Sequence, residues 1–182
     1  MPVSGRSVVD LPKSVYRDIF AEYALPLNGY HGPNHWGRVR DIGIRLASET
    51  GADPVVVELF ALFHDSRRVN ENHDPAHGLR GGMLALELLR PLNIITEDQQ
   101  RLLFDACRDH TFGMTEADDT IMTCWDADRL DLLRVGITPS PRYLCTDAAK
   151  DAATIRWANQ RALQDFRPGI VDDWTKCLED SN

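Results

Sequence analysis

VVVELFALFHD, residues 55–65, is a nearly continuous apolar run that ends in two ionisable side chains. Asp53 and Pro54 stand immediately before it, an N-cap and first-turn pair that favours a helix start. The β-branched Val55-Val56-Val57 would also suit a strand. The run nevertheless continues through about three helical turns to His64, too far for a typical short strand. The reading is a buried helix. Its end is unusual, because His64 and Asp65 are expensive to bury without partners. The two side chains point about 100° apart on a helix, and both can reach one cation beside its end. The negative end of a helix favours such a cation.

Working outward, helical signals dominate and no hairpin signal appears. Pro12 with Val15, Ile19, Phe20 and Tyr23 has helical spacing, and Pro26 ends that segment. LNGYHGPNHWG (27–37) is glycine-rich, and Asn34 is a candidate cap for a helix through Val39, Ile42 and Leu46 to Gly51. SRRVNENHDPAHGLRGG (66–82) is the longest polar, irregular stretch, a loop type that often carries function on a helical scaffold. Asp74-Pro75 reads as the next cap and helix start. Thr96 opens a helix ending near His110, and Asp118 or Asp119 opens another to Leu133. Thr146 to Phe166 reads as one long amphipathic helix, and 168–182 as one short helix. The expected fold is all-α: a single compact multi-helix domain over 1–182.

The 182 residues carry a net charge of −8. That balance argues against a grip on long nucleic acid, which needs a basic face. It leaves room for a small phosphorylated substrate, because a metal and a few local arginines can reverse the sign inside a pocket. Cys107, Cys124, Cys145 and Cys177 form no C-x-x-C pair and read as reduced packing thiols. No apolar run approaches the roughly 20 residues needed to span a bilayer. The expectation is a cytoplasmic protein with no membrane partner.

One His and one carboxylate do not complete a metal site, and imidazole with carboxylate donors suits most first-row divalent ions. His35, in HGPNHWGRV, and Asp126, in CWDADRLDLL, are the candidates to complete it. Asp128 is two residues further on and reads as facing elsewhere, and Asp131 as solvated. The order His35, then His64-Asp65 about 30 residues later, then a distant Asp126 resembles the HD-domain superfamily of metal-dependent phosphohydrolases. HxxxHWGRV, ALFHDSRR and DADRLDLLR carry the likeness, over roughly residues 28–145.

The resemblance implies an HD-type helical bundle holding Mn, Fe, Zn, Co, Ni or Mg. Some branches of that superfamily hold two metals, with two more histidines in the interval and the central Asp bridging. His77 and His110 occupy that interval here. His73 and His77 are four apart, but Asp74-Pro75 between them argues against a helical chelate. The implied activity is hydrolysis of a nucleotide or another small phosphorylated metabolite by metal-activated water, oriented by Asp65. Arg67, Arg68 and Arg80 are candidate phosphate contacts, His31 lines the pocket, and Asp74 or Glu71 protonates the leaving group. The alternatives are an oxygenase with a di-iron centre on the six-ligand pattern, and a non-catalytic nucleotide-binding module. Residues 146–182 lie outside the motifs and would serve as a lid or as a homodimer surface.

Overall fold

The computed structural model describes residues 6–181. Among them the regular structure is entirely helical: α1 (Lys13–Ala21), α2 (Pro33–Thr50), α3 (Pro54–Phe63), α4 (His77–Leu89), α5 (Glu97–Asp109), α6 (Asp119–Leu130), α7 (Asp147–Lys150), α8 (Ala152–Leu163) and α9 (Ile170–Thr175). Short 3-10 turns lie at Arg90–Leu92, Leu132–Val135, Pro141–Tyr143 and Lys176–Ser181. No described helix is long and apolar enough to cross a membrane.

The apolar run becomes α3, the central rod, packed against α2, α4, α5 and α6. Asp53 caps it by accepting from the backbone N–H of Val55 at 2.8 Å and of Val56 at 3.4 Å. Burial on all sides explains why the segment is apolar all round rather than along one stripe. Its one interior charge, Glu58, is fully buried and accepts from Arg40 Nε at 2.7 Å and from the Val8 backbone at 3.2 Å.

Two glycines of α4 set how closely its neighbours approach. A Cβ on Gly81 would lie 2.2 Å from the Phe63 carbonyl at the end of α3, and one on Gly78 would lie 2.2 Å from the Cys107 carbonyl of α5. Glycine at these positions lets the start of α4 press against the ends of both helices. That contact gathers the histidines.

Several local expectations need correcting. α2 starts at Pro33 with Gly32 as its cap, while Asn34 accepts from Arg167 instead. α4 starts at His77 rather than after Asp74, whose carboxylate braces the preceding loop. The helix read across 146–166 is two helices. Thr146 and Asp151 each cap a new start, and Asp151 has extended geometry, φ −60° and ψ 130°. The tail likewise divides into α9 and the 3-10 turn after it. Ile170, Val171 and Trp174 are buried in the common core, and α9 packs on α2. The tail therefore braces the bundle and is not a lid.

Candidate metal centre

Six side chains converge where α2 begins, α3 ends, α4 begins and α5 ends, with α6 alongside. His35, His64 and Asp128 form one group, and Asp65, His77 and His110 form a second. Within each group the ligand atoms all lie within 4.8 Å of one another. In the first, His35 Nε2 is 3.2 Å from His64 Nε2 and 3.3 Å from Asp128 Oδ1. In the second, His77 Nε2 is 3.0 Å from both His110 Nε2 and Asp65 Oδ1. Asp65 joins the two groups, since its other oxygen, Oδ2, lies 3.6 Å from His35 Nε2 and 3.7 Å from His64 Nε2.

The other ring nitrogens decide what this convergence means. His35 Nδ1 donates to Asp131 Oδ2 at 2.7 Å, and His64 Nδ1 to the Phe60 carbonyl at 3.0 Å. His77 Nδ1 donates to the Asp74 carbonyl, and His110 Nδ1 to the Cys107 carbonyl at 2.7 Å. With the proton on Nδ1 in each neutral ring, all four Nε2 atoms present lone pairs inward; His77 Nε2 meets one donor, Arg68 Nη1 at 3.1 Å, and the others face one another and carboxylate oxygens. Such an array repels itself unless a cation or protons fill it. Asp65 Oδ1 is also buried without a hydrogen-bond partner, an uncommon state for a native carboxylate. Both observations fit a divalent cation in each group. The Nδ1 bonds are the outer contacts that orient metal-binding histidines.

The electrostatics agree. Burial pushes His64 down to about 3, which keeps its ring neutral and its lone pair available. Burial opposes ionisation of Asp65 and Asp128, yet the surrounding histidines hold both carboxyls below the usual range. For His110 burial favours the neutral ring, but Asp65, 3.8 Å away, and the charge of Asp128 win and raise it.

A test follows for the metal-free chain. His64 takes a proton near its ordinary value of 6.5 when unfolded but only near 3 when folded. The fold therefore loses stability as pH falls through that window. Asp65 and Asp128 add to the loss on the acid side, and the rise at His110 only blunts it. The thermal midpoint in chelator should drop between pH 7.5 and pH 5. An unchanged midpoint would contradict this account.

Asp126 does not join either group, a correction to the sequence reading. It is fully buried, but its oxygens accept from Cys145 N at 2.7 Å, Thr146 N at 2.8 Å and Thr146 Oγ1 at 2.8 Å. Two residues along a helix amount to about 200°, so Asp128 faces the histidines while Asp126 clamps the chain at 145–146. Asp131 is not solvated either. It is fully buried and accepts from Arg38 Nε at 2.8 Å as well as from His35. Replacing Asp131 with Ala should weaken metal binding about 10- to 100-fold with the ligands intact, as expected for a ligand-orienting carboxylate. Metal titration followed by calorimetry would measure it.

The arginines separate in the same way. Arg67 donates to the Asp18 and Ile19 carbonyls of α1. Arg80 donates to the Arg67 carbonyl at 2.9 Å and pairs with Asp74 at 2.6 Å. Both are structural ties, which corrects their reading as phosphate contacts. Asp74 is also corrected as a proton donor. Despite desolvation, Arg80 and the Val69 N–H hold its carboxyl below the usual range, and it carries no proton to give. Arg68 does face the centre, with Nη1 3.6 Å from Asp65 Oδ1 and 3.1 Å from His77 Nε2. His31 bonds to Glu71 and stands edge-on to His35, ring centroids 6.3 Å apart, while His73 is exposed. The sequence reading missed Arg134, whose Nη2 lies 3.9 Å from Asp128 Oδ1. A cleft of about 390 Å³ opens beside His77, walled by Arg68, Asn72, Pro75, Thr111 and Phe112.

No family model, curated protein or solved structure matches this chain, so its function is argued from the site itself.

Proposed function

We propose that this protein is a metal-dependent phosphohydrolase of the HD type, acting on a nucleotide or another small phosphorylated metabolite. The observation that carries the reading is the pair of His/Asp groups joined through Asp65, with four Nε2 lone pairs and an unpartnered carboxylate oxygen facing inward. His35, His64, Asp65 and Asp128 would hold one cation, and Asp65, His77 and His110 a second. What a divalent cation supplies when bound there is Lewis acidity toward a phosphoryl oxygen and toward water.

The remaining work belongs to the chain. Asp131 and the backbone carbonyls of Phe60, Asp74 and Cys107 fix the imidazole rings. Three carboxylates, Asp65, Asp128 and Asp131, stand among three guanidinium groups, those of Arg38, Arg68 and Arg134. Asp165 also pairs with Arg38, and two divalent ions would still outweigh these carboxylates, so the loaded site attracts anions. In the reaction, water oxygen bonds to phosphorus, the ester P–O bond breaks, and the leaving alkoxide takes up a proton to depart as alcohol.

The test is elemental analysis of protein purified without chelator, together with phosphate release from a panel of phosphate monoesters. About two metals per chain and metal-dependent release are expected. Absence of metal under all loading conditions would remove the reading, and metal without turnover would favour a binding module. The sharing of Asp65 between two groups also supports a second reading, an oxygenase with a di-iron centre. Two irons per chain with a paramagnetic signal and O₂ consumption would favour it.

A further inference from the structure

Two arginines at the centre share one design. Arg68 donates from Nε to the Asn70 carbonyl at 3.3 Å and from Nη2 to the Asn72 carbonyl at 2.7 Å. Arg134 donates from Nε to the Tyr30 carbonyl at 2.8 Å and from Nη1 to the Asp131 carbonyl at 3.1 Å. Each guanidinium is thus fixed through two nitrogens by backbone oxygens, and the third nitrogen turns toward a metal-site carboxylate without bonding it. Arg68 Nη1 stands 3.6 Å from Asp65, in the group with His77 and His110. Arg134 Nη2 stands 3.9 Å from Asp128, in the group with His35 and His64. Both side chains are almost wholly buried.

Each arginine is therefore immobilised and desolvated; Arg68 Nη1 bonds the His77 ring at 3.1 Å, and Arg134 Nη2 has Asp128 at 3.9 Å. Cations in the two groups would engage the carboxylates, along with the His77 Nε2 that now faces Arg68, and would leave both third nitrogens seeking an anion. Donors fixed before binding lose little entropy when they engage it.

We infer that Arg68 and Arg134 form a two-armed clamp for the terminal phosphoryl group of a monoester, one arm at each His/Asp group. The inference rests on the metal-dependent reading above. A terminal phosphoryl group offers three non-bridging oxygens and up to two negative charges, enough to meet both arms and both groups. A phosphodiester offers two such oxygens and one charge, and leaves part of the array unmet. Arg134 is then a specificity residue that touches substrate.

The experiment is calorimetric titration of the metal-loaded full chain with inorganic phosphate, phenyl phosphate and diphenyl phosphate, with metal content measured on every sample. Wild type should bind the first two, and the diester at least about tenfold more weakly. Arg134→Gln and Arg68→Gln should each keep their metal and lose about 10- to 100-fold in affinity for phosphate, the range for one charge-assisted hydrogen bond. Arg134→Lys keeps the charge without the fork, should lose about tenfold, and serves if Arg134→Gln does not fold. Metal retained with phosphate affinity unchanged in the arginine variants would overturn the clamp, as would a diester bound as tightly as the monoester. A wild type that takes up no metal would instead overturn the metal-dependent reading on which the clamp depends.

Discussion

Asp65→Asn should empty both halves of the centre at once and lower the proposed phosphate-ester turnover by at least about a thousandfold. The two oxygens of Asp65 face different groups, Oδ1 toward His77 and His110, Oδ2 toward His35 and His64. Asparagine matches it in shape, so the fold should persist. It brings one weaker oxygen donor and an amide nitrogen that presents hydrogens where a cation would sit. The expected metal content falls from about two per chain to near zero.

Stability gives an independent readout. A cation at a hundred times its Kd stabilises the folded chain by about 2.7 kcal/mol per site. For a chain of this length that is roughly 5–10 °C in thermal midpoint per site. Wild type should show this rise on adding metal, and Asp65→Asn should show none. Retention of both metals by Asp65→Asn would rule out a bridging role. His110→Ala should lose one metal and keep the other, because His110 belongs to the second group only.

The second large effect is a contrast between neighbours on α6. Asp128→Asn should remove the cation of the His35/His64 group and the proposed turnover while the metal-free chain still folds. Asp126→Asn should do the reverse. Its carboxylate holds three donors at the 145–146 turn, and an amide would set N–H groups against N–H groups there. Loss of hydrogen bonds to a buried charge costs about 2–4 kcal/mol, roughly 5–15 °C in midpoint for a chain of this length. Metal content of whatever Asp126→Asn folds should stay near that of wild type. If Asp126→Asn lost metal with an unshifted midpoint while Asp128→Asn kept it, the assignment of the two residues would be reversed.

These neighbours mark the boundary of what the sequence can say. CWDADRLDLL offers three carboxylates within one helix turn and a half. An apolar setting singles out Asp126 as the buried one, and it is buried. Burial, however, follows equally from three backbone and hydroxyl donors or from a metal. Only the rotation of α6 against α2 and α3 distinguishes them, giving the histidines to Asp128 and the His35 imidazole to Asp131. The arginines follow the same logic. Arg67, Arg68 and Arg80 are equivalent as sequence, and the packing of α1 and the path of the 66–76 loop assign two of them to carbonyls and one to the centre. Arg134 had no distinguishing local signal, because its role comes from carbonyls at Tyr30 and Asp131 that the fold brings together.

What the sequence determined by itself is the all-helical class, the Asp53 and Thr96 caps, a helix start at Asp118 or Asp119, the buried α3, and the ionisable His64-Asp65 pair at its end. Those follow from local chemistry: side-chain oxygens that cap helices, apolar periodicity, and the cost of burying an ionisable pair. Tertiary structure alone decided which carboxylate completes each group, which arginines face it, and where the long C-terminal helix breaks. These depend on the relative rotation and approach of helices distant in sequence, with Gly78 and Gly81 permitting the contacts of α4 with α3 and α5, and no local pattern encodes that geometry.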